Sequence, residues 1–228
     1  MDSYAAGTDG SNGVHLTART IPVPKSISPE AQASLAMVRP AQAPFPALDD
    51  KAGWLARIEQ MNTGMAAMMR EPLMALPVTS RSEVIAGVPV FVTEPAAIPA
   101  ENRDKALLYF HGGGLVLLGG EATGLFARME AFANRCKVYA VDYRNPPDHP
   151  YPAALDDCVA VYRELLKSYR PDQIVISGAS GGGNLAAAVP LKIRDIGLPL
   201  PAAVGLFTPE VDLTESGDTF HRFYNLLR

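Results

Sequence analysis

The feature that most constrains the fold of this chain is residues 174–188, which read Ile-Val-Ile-Ser-Gly-Ala-Ser-Gly-Gly-Gly-Asn-Leu-Ala-Ala-Ala. A short β-branched run, a serine between glycines and an alanine-rich run predict a sharp strand-to-helix turn that presents Ser180. The residues two before and two after such a serine lie close to neighbouring backbone, where a Cβ atom would clash. Gly178 and Gly182 occupy these two positions. Ser180 is therefore the candidate nucleophile.

The helix predicted after Ser180 adds an electrostatic argument. It would direct free N–H groups and its positive dipole end toward the serine oxygen, so a negative charge formed there would be stabilised. Glycine-rich strand-to-helix turns also bind phosphate, however, or simply pack tightly. The segment from Gly178 to Gly182 alone therefore leaves a nucleophile, a phosphate site and tight packing as alternatives.

A second glycine-rich motif, His111-Gly112-Gly113-Gly114, directly follows the apolar run 106–110. Successive glycines allow backbone N–H groups to face one site, as the stabilisation of a developing oxyanion requires. A phosphate cradle is the alternative, although no P-loop lysine follows. We expect His111 to brace this loop by hydrogen bonding rather than to act as a base.

The periodicity of apolar residues predicts an α/β fold. A helix is predicted over residues 49–71, and strands 82–85 and 88–93 are predicted to form a hairpin at the edge of a sheet. Further strands and helices are predicted to alternate at residues 106–110, 123–136, 138–141, 153–169, 173–177, 180–193 and 202–207. This alternation predicts a mostly parallel sheet with helices on both faces.

The helix predicted over residues 49–71 has a methionine-rich apolar face. The face consists of Trp54, Leu55, Ile58, Met61, Met65, Met68 and Met69. Packing on the core is the usual role of such a face. A pliable wall over an apolar substrate pocket is the alternative, because methionine adapts to irregular shapes.

Composition excludes several classes of function. The 228 residues carry a net charge of −4 without a Lys/Arg cluster, so no nucleic-acid partner is expected. No apolar run is long enough to span a bilayer, and residues 1–13 lack the basic and apolar regions of a secretory signal. Cys136 and Cys158 lack metal-ligand spacing and are interpreted as buried thiols. We therefore expect a cytoplasmic protein with a small-molecule partner and no metal site.

The two motifs in combination are similar to those of the α/β-hydrolase superfamily, and in detail to the hormone-sensitive-lipase-like carboxylesterases. Ser180 follows His111 by 69 positions. Further similar segments are Asp-Tyr-Arg at 142–144, Asp-His-Pro-Tyr-Pro-Ala-Ala at 148–154, Asn-Leu-Ala at 184–186 and Asp-Leu at 212–213. The resemblance, which covers about residues 51–220, implies an N-terminal tail and helical cap segment at 1–80 and an α/β-hydrolase core at 81–228.

The resemblance also implies serine-dependent hydrolysis of carboxylic esters with fairly short acyl chains, without any cofactor. Ser180 would be the nucleophile, and the N–H groups of Gly112 and Gly113 would hold the oxyanion together with one further amide. That amide belongs to Ala179 or Gly181, and its place directly after the nucleophile favours Gly181. The family commonly has an acidic or hydroxyl residue before the serine and alanine after it, so this turn departs from its pattern.

The remaining members of a catalytic triad are not found in the sequence. In this fold the acid and then the histidine follow the serine, on loops after two later strands. Only 48 residues follow Ser180, whereas one strand-helix-strand unit takes about 30 residues. His221 is the single histidine after Ser180, and it follows the last predicted strand too closely to be predicted as the base. Glu210 and Asp212 are expected to support their loop.

We therefore expect a core that lacks its last strands and is truncated at its C-terminus. Strand 202–207 would then form an unprotected edge, and the chain would be poorly stable, self-associate or be complemented by a C-terminal chain. The alternative to an esterase is a truncated, non-catalytic relative that binds ester or acyl ligands at most. A purely structural role for the two motifs is the third interpretation.

Overall fold

The computed structural model describes residues 22–37 and 44–214, which fall into two units divided between Pro44 and Phe45. The first unit contains helix α1, Pro29–Ala36, whose first turn is capped by the Ser28 hydroxyl. His221 and the tail at residues 1–13 lie outside the described residues. No helix in the described ranges is long and apolar enough to cross a bilayer.

The second unit is built on a six-stranded sheet. Its strands are β1 (Val78–Ile85), β2 (Val88–Pro95), β3 (Ala106–Phe110), β4 (Lys137–Val141), β5 (Ile174–Ala179) and β6 (Ala203–Phe207). Their order across the sheet is β1-β2-β4-β3-β5-β6. Strands β3 to β6 are parallel, whereas the β1–β2 hairpin is antiparallel and also joins β4 in antiparallel fashion. The mostly parallel sheet with a hairpin at its edge is thereby confirmed.

Helices cover both faces of the sheet, as predicted. They are α3 (Glu121–Asn134), α4 (Ala153–Leu165) and α5 (Gly181–Asp195), and helix α2 (Lys51–Met74) packs on α3. Strand β3 is buried along its whole length, and its side chains alternate between the two layers. Leu108 and Phe110 pack with α4 and α5, whereas Leu107 and Tyr109 pack with α3. The unbroken apolar run at 106–110 is therefore the centre of the core.

Helix α2 has one fully buried residue, and its methionines are half-buried or exposed. Asp50 caps its start by accepting a hydrogen bond from the Gly53 N–H at 2.9 Å. Ala66 is its buried residue, whereas Met68 is 70% exposed. A cavity of about 440 Å³ beside α2 is lined from this helix by Glu59, Asn62, Thr63 and Ala66. The predicted methionine wall does not line that cavity.

Strand β6 forms one lateral edge of the sheet and is exposed. Among the described residues β6 pairs only with β5, and none of its five residues is buried. Phe207 is 60% exposed and Leu206 is 44% exposed. The unprotected edge predicted for this strand is therefore present within the described ranges. The division into segments at residue 80 and the cytoplasmic location stay predictions.

The two cysteines are buried free thiols, as the sequence predicted. Burial raises the pKa of the Cys136 thiol to about 11, so it is not ionised near neutral pH. Burial also raises the pKa of Cys158. Neither thiol is therefore suited to act as a nucleophile.

Arg128 of α3 holds the C-terminal end of α2. Its guanidinium donates hydrogen bonds to the carbonyl oxygens of Leu73, Met74 and Leu76 at 2.9–3.1 Å. Carbonyl groups at a helix end lack the partners of the helix interior, and Arg128 adds donors to those of the last turn of α2 and of the residues that follow it. Since Arg128 is only 8% exposed, the contact is part of the packing between α2 and α3.

We expect Arg128→Ala to lower the free energy of unfolding by about 2–4 kcal/mol, because three charge-assisted hydrogen bonds and a packed side chain are lost. Arg128→Lys should be intermediate, since an ammonium lacks the planar fork of donors. Urea unfolding followed by circular dichroism measures both. Arg163→Ala, at an exposed position of α4, is the control, and equal midpoints for Arg128→Ala and this control would contradict the assignment.

Candidate active site

Ser180 occupies the turn between β5 and α5. Its backbone has φ 54° and ψ −121°, in the left-handed half of conformational space that costs a residue with a Cβ atom free energy. The Ser180 N–H donates to the carbonyl oxygen of Phe207 at 2.9 Å, which ties the turn to neighbouring β6. Asn184 donates its N–H to the Ser180 carbonyl at 3.1 Å and begins the ladder of α5. The predicted strained strand-to-helix turn is confirmed.

The glycines on either side of Ser180 are required sterically. A Cβ atom on Gly178 would overlap the carbonyl oxygen of Gly182. A Cβ atom on Gly182 would in turn overlap the carbonyl oxygens of Phe110 and His111. The first turn of α5 can therefore touch the end of β3, and this contact brings the two sequence motifs together.

The segment between β3 and α3, residues 111–120, is called the glycine loop below. It wraps around the serine turn. A Cβ atom on Gly112 would lie 3.0 Å from the Ala179 carbonyl oxygen and 3.5 Å from Ser180 Cβ. A Cβ atom on Gly181 would lie 2.7 Å from the amide nitrogen of Leu115. Three of the predicted site glycines, Gly112, Gly114 and Gly181, are thus packed around one point beside Ser180.

The amides predicted to bind an oxyanion are not used in the hydrogen bonds of the described fold. Within residues 22–37 and 44–214, the N–H groups of Gly112, Gly113 and Gly181 donate to no other protein group. Gly113 has φ 105°, a conformation that turns the backbone of the loop and strongly favours glycine. Because Gly181 is also the first residue of α5, its amide carries the positive end of the helix dipole. Such an arrangement can stabilise a negative oxygen placed next to Ser180.

His111 braces the glycine loop and is uncharged. It is fully buried, its Nδ1–H donates to the Gly112 carbonyl oxygen at 2.8 Å, and its Nε2 has no hydrogen-bond partner in the described chain. Its ring stacks on Tyr143 with a centroid separation of 4.1 Å, and the Tyr143 hydroxyl donates to the His111 carbonyl at 2.6 Å. Burial lowers its pKa from 6.5 to about 4. The predicted bracing contact is therefore present.

Glu210 contacts Ser180, which the sequence did not predict. Its Oε1 accepts a hydrogen bond from the Ser180 hydroxyl at 3.3 Å, and its backbone carbonyl accepts one from Asn184 Nδ2 at 2.7 Å. The signal was its position: Glu210 follows β6, and carboxyl ends of adjacent parallel strands meet at one edge of a sheet. Asp212 supports the loop as predicted, because its Oδ1 accepts the Thr214 N–H at 2.9 Å.

A base for Ser180 is not found among the described residues. His111 is engaged with Gly112, His149 is exposed, and the Ser180 hydroxyl is bonded to Glu210. No group of three or more metal-ligating side chains occurs in the same ranges. Within the described residues the site therefore combines a positioned hydroxyl, bonded to the Glu210 carboxylate, with amides that are free of other protein partners.

Comparison with known proteins agrees with this geometry. Residues 107–225, which include both motifs, match a family model described as the alpha/beta hydrolase fold. The chain belongs to the α/β-hydrolase family. The crystal structure of an esterase superposes on this α/β hydrolase with a TM-score of 0.76 and 33% identity, covering 92% of this chain and 65% of the esterase.

Further relatives support the resemblance to hormone-sensitive-lipase-like carboxylesterases. The crystal structure of a hormone-sensitive lipase from a metagenome library matches with a TM-score of 0.66 and 31% identity, over 81% of this chain and 58% of that one. An acetyl-hydrolase from Streptomyces hygroscopicus is 38% identical over 52% of this chain and 40% of its own length. Esterase LipU from Mycobacterium tuberculosis is 35% identical over 57% and 44%, respectively. The α/β hydrolase thus spans less than half the length of these two curated relatives.

The burial of neutral His111 predicts acid sensitivity. Between pH 6.5 and pH 4 the unfolded chain binds a proton at this residue and the folded chain does not, so stability falls as the pH falls. We expect a loss of about 2 kcal/mol in the free energy of unfolding from pH 7.5 to pH 5 that is absent from His111→Asn. Urea titrations at both pH values measure it.

The matched control for this prediction is His149→Asn, which replaces an exposed histidine and should retain the pH dependence of the wild-type protein. Identical pH dependence in His111→Asn and in the wild-type protein would show that His111 is not held neutral by the fold.

Proposed function

We propose that this α/β hydrolase is a serine-dependent carboxylic ester hydrolase. The observation that carries the proposal is the set of free amides beside the Ser180 hydroxyl. A tetrahedral intermediate of acyl transfer carries its negative charge on an oxygen, which preorganised N–H donors stabilise. Esterases among the relatives support the same reaction class.

In the proposed reaction Ser180 Oγ attacks the ester carbonyl carbon, and the carbonyl oxygen becomes the oxyanion. The amides of Gly112, Gly113 and Gly181 hold this oxygen. A base takes the hydroxyl proton and later returns it to the leaving alcohol, after which water hydrolyses the acyl-enzyme by the same steps. Backbone amides do not ionise, so their stabilisation of the oxyanion is expected over the whole range of pH in which the fold is stable.

The base and its orienting acid are proposed to come from residues outside the described ranges. In this fold an acid and then a histidine follow the serine in sequence. The two curated relatives are more than twice as long as the segments that this chain matches in them. A C-terminal continuation, or a second chain that complements this one, would supply both groups.

Short acyl chains are the proposed substrates. Two relatives carry names that state small acyl groups, the acetyl-hydrolase of Streptomyces hygroscopicus and the versiconal hemiacetal acetate esterase of Emericella nidulans. A catalytic metal or organic cofactor is not part of the proposed reaction, because the hydroxyl and the amides belong to the chain itself.

The alternative function is the binding of ester or acyl ligands without turnover. The observation that favours it is the hydrogen bond from the Ser180 hydroxyl to Glu210, because a histidine would accept this bond in an assembled triad. The free amides would then bind a carbonyl or carboxylate oxygen of the ligand. The two functions differ in whether an imidazole base can restore proton transfer.

Added imidazole tests this difference. We expect the 228-residue chain to hydrolyse p-nitrophenyl acetate weakly, and imidazole to raise the rate difference between wild-type and Ser180→Ala protein at least about tenfold, because a general base is worth about 10²–10⁴-fold. Release of p-nitrophenol measures the rate, and subtraction of the Ser180→Ala rate removes hydrolysis by imidazole in solution.

Two outcomes decide between the functions. Equal rates for wild-type and Ser180→Ala protein at every imidazole concentration would defeat catalysis by this chain and support the ligand-binding alternative. Fast serine-dependent turnover without imidazole would show that the base lies within the 228 residues.

A further inference from the structure

The glycine loop contains strain that its own hydrogen bonds do not explain. Leu115 and Leu118 both have left-handed backbone conformations, with φ of 63° and 72°. Non-glycine residues persist in this region only where the surroundings hold them. The two residues lie in the half of the loop that leads from the glycines to α3, so this half requires external support.

Leu118 is held on both sides of its backbone. Its N–H donates to Asn62 Oδ1 at 2.7 Å, and its carbonyl oxygen accepts the Thr123 hydroxyl at 2.9 Å. The next anchor is Asp142 at the end of β4, which accepts the Gly120 N–H at 2.8 Å. Thr123 and Asp142 belong to the α/β core, whereas Asn62 belongs to α2.

Helix α2 presents Asn62 from a fixed position. Asn62, Ala66 and Arg70 lie four residues apart and therefore share one face of the helix. Ala66 is buried one turn after Asn62. Arg70, a further turn along, forms a two-point ion pair with Glu121 at the start of α3, with distances of 2.7 and 2.6 Å. These contacts place the face of α2 that carries half-buried Asn62 against the glycine loop, where its side chain accepts the Leu118 N–H.

The position of Leu118 is linked to that of the amides beside Ser180. The N–H groups of Val116 and Leu117 donate to the Gly113 carbonyl oxygen at 3.1 and 2.9 Å. The Cβ position of Gly113 is filled by the backbone of Leu117. Residues 113–117 therefore form one tight turn, and Leu118 is the next residue. A displacement of Leu118 is passed to Gly113 through this turn.

We propose that Asn62 is a positioning residue that fixes the glycine loop from helix α2. It touches neither Ser180 nor the site of the oxyanion. It accepts the amide of the strained Leu118 and so keeps the Gly112 and Gly113 amides directed at the serine. The kinetic consequence of this inference depends on the proposed ester hydrolysis, whereas its effect on the loop does not.

Hydrogen exchange tests the effect on the loop. We expect Asn62→Leu, which removes the acceptor at similar volume, to raise the exchange rate of amides in residues 113–120 at least tenfold. Asn62→Asp retains an acceptor oxygen and should restore slow exchange. Thr63→Ala is the matched control, because Thr63 lies beside Asn62 but bonds to Glu59 of its own helix. Peptides from α4 report whether the whole fold has loosened.

Unchanged exchange of the loop in Asn62→Leu would overturn the inference. An equal rise in the loop and in α4 would also overturn it, because Asn62 would then contribute general stability only. Selective exchange of the loop with rescue by Asn62→Asp would support it.

Kinetics tests the consequence for catalysis. In the imidazole-supported hydrolysis of p-nitrophenyl acetate, we expect Asn62→Leu to lower kcat about tenfold with little change in KM, and Asn62→Asp to recover kcat. An unchanged kcat would overturn the catalytic part. If wild-type protein shows no turnover dependent on Ser180, the proposed function fails, and the exchange measurement still decides whether Asn62 positions the loop.

Discussion

The close approach of the first turn of α5 to the end of β3 is the contact on which the rest of the structure depends. It is possible because Gly182 leaves the space that the carbonyl oxygens of Phe110 and His111 occupy. Strands β3 and β5 are parallel neighbours, so the loops that follow them leave the same edge of the sheet. Topology thus places the two motifs side by side, and the absence of one Cβ atom lets them touch. Any side chain at Gly182 would push the serine turn away from the end of β3 and the glycine loop that follows it.

A residue that follows a third strand, β4, supports this contact. Tyr143 follows β4, stacks on His111 and donates its hydroxyl to the His111 carbonyl. A charged imidazole could not be solvated there, and the depressed pKa of His111 is the expression of that cost. The loop is therefore held by a neutral ring, which donates one hydrogen bond to Gly112 and stacks on Tyr143, and by the Tyr143 hydroxyl bound to the His111 carbonyl.

The sequence predicted those features that follow from periodicity and from steric necessity. The apolar run at 106–110 indicated a strand buried on both faces, and the glycines around Ser180 indicated a turn without room for side chains. Contacts between a side chain and distant backbone could not be predicted. Asn62 meets Leu118 across 56 positions, and no pattern in either segment specifies the register of α2 on the loop. The apolar face of α2 was predicted from helical spacing, which shows that a stripe exists but not which neighbour covers it; most of the face is half-buried, and its methionines do not line the cavity beside the helix. The position of Glu210 after β6 could be predicted from the sequence, whereas the direction of its side chain toward Ser180 could not.

The proposed ester hydrolysis has two parts, and the described residues contribute to them unequally. Stabilisation of charge would depend on backbone amides held by packing, and the proposed amides lie between β3, β5 and the start of α5. Proton transfer depends on an imidazole, and the described histidines do not reach Ser180. Because the two parts rely on different physical means, they can be built by different segments and can be tested separately. A base that arrives from another segment would have to displace the Glu210 carboxylate from the Ser180 hydroxyl, since that hydroxyl donates a single hydrogen bond.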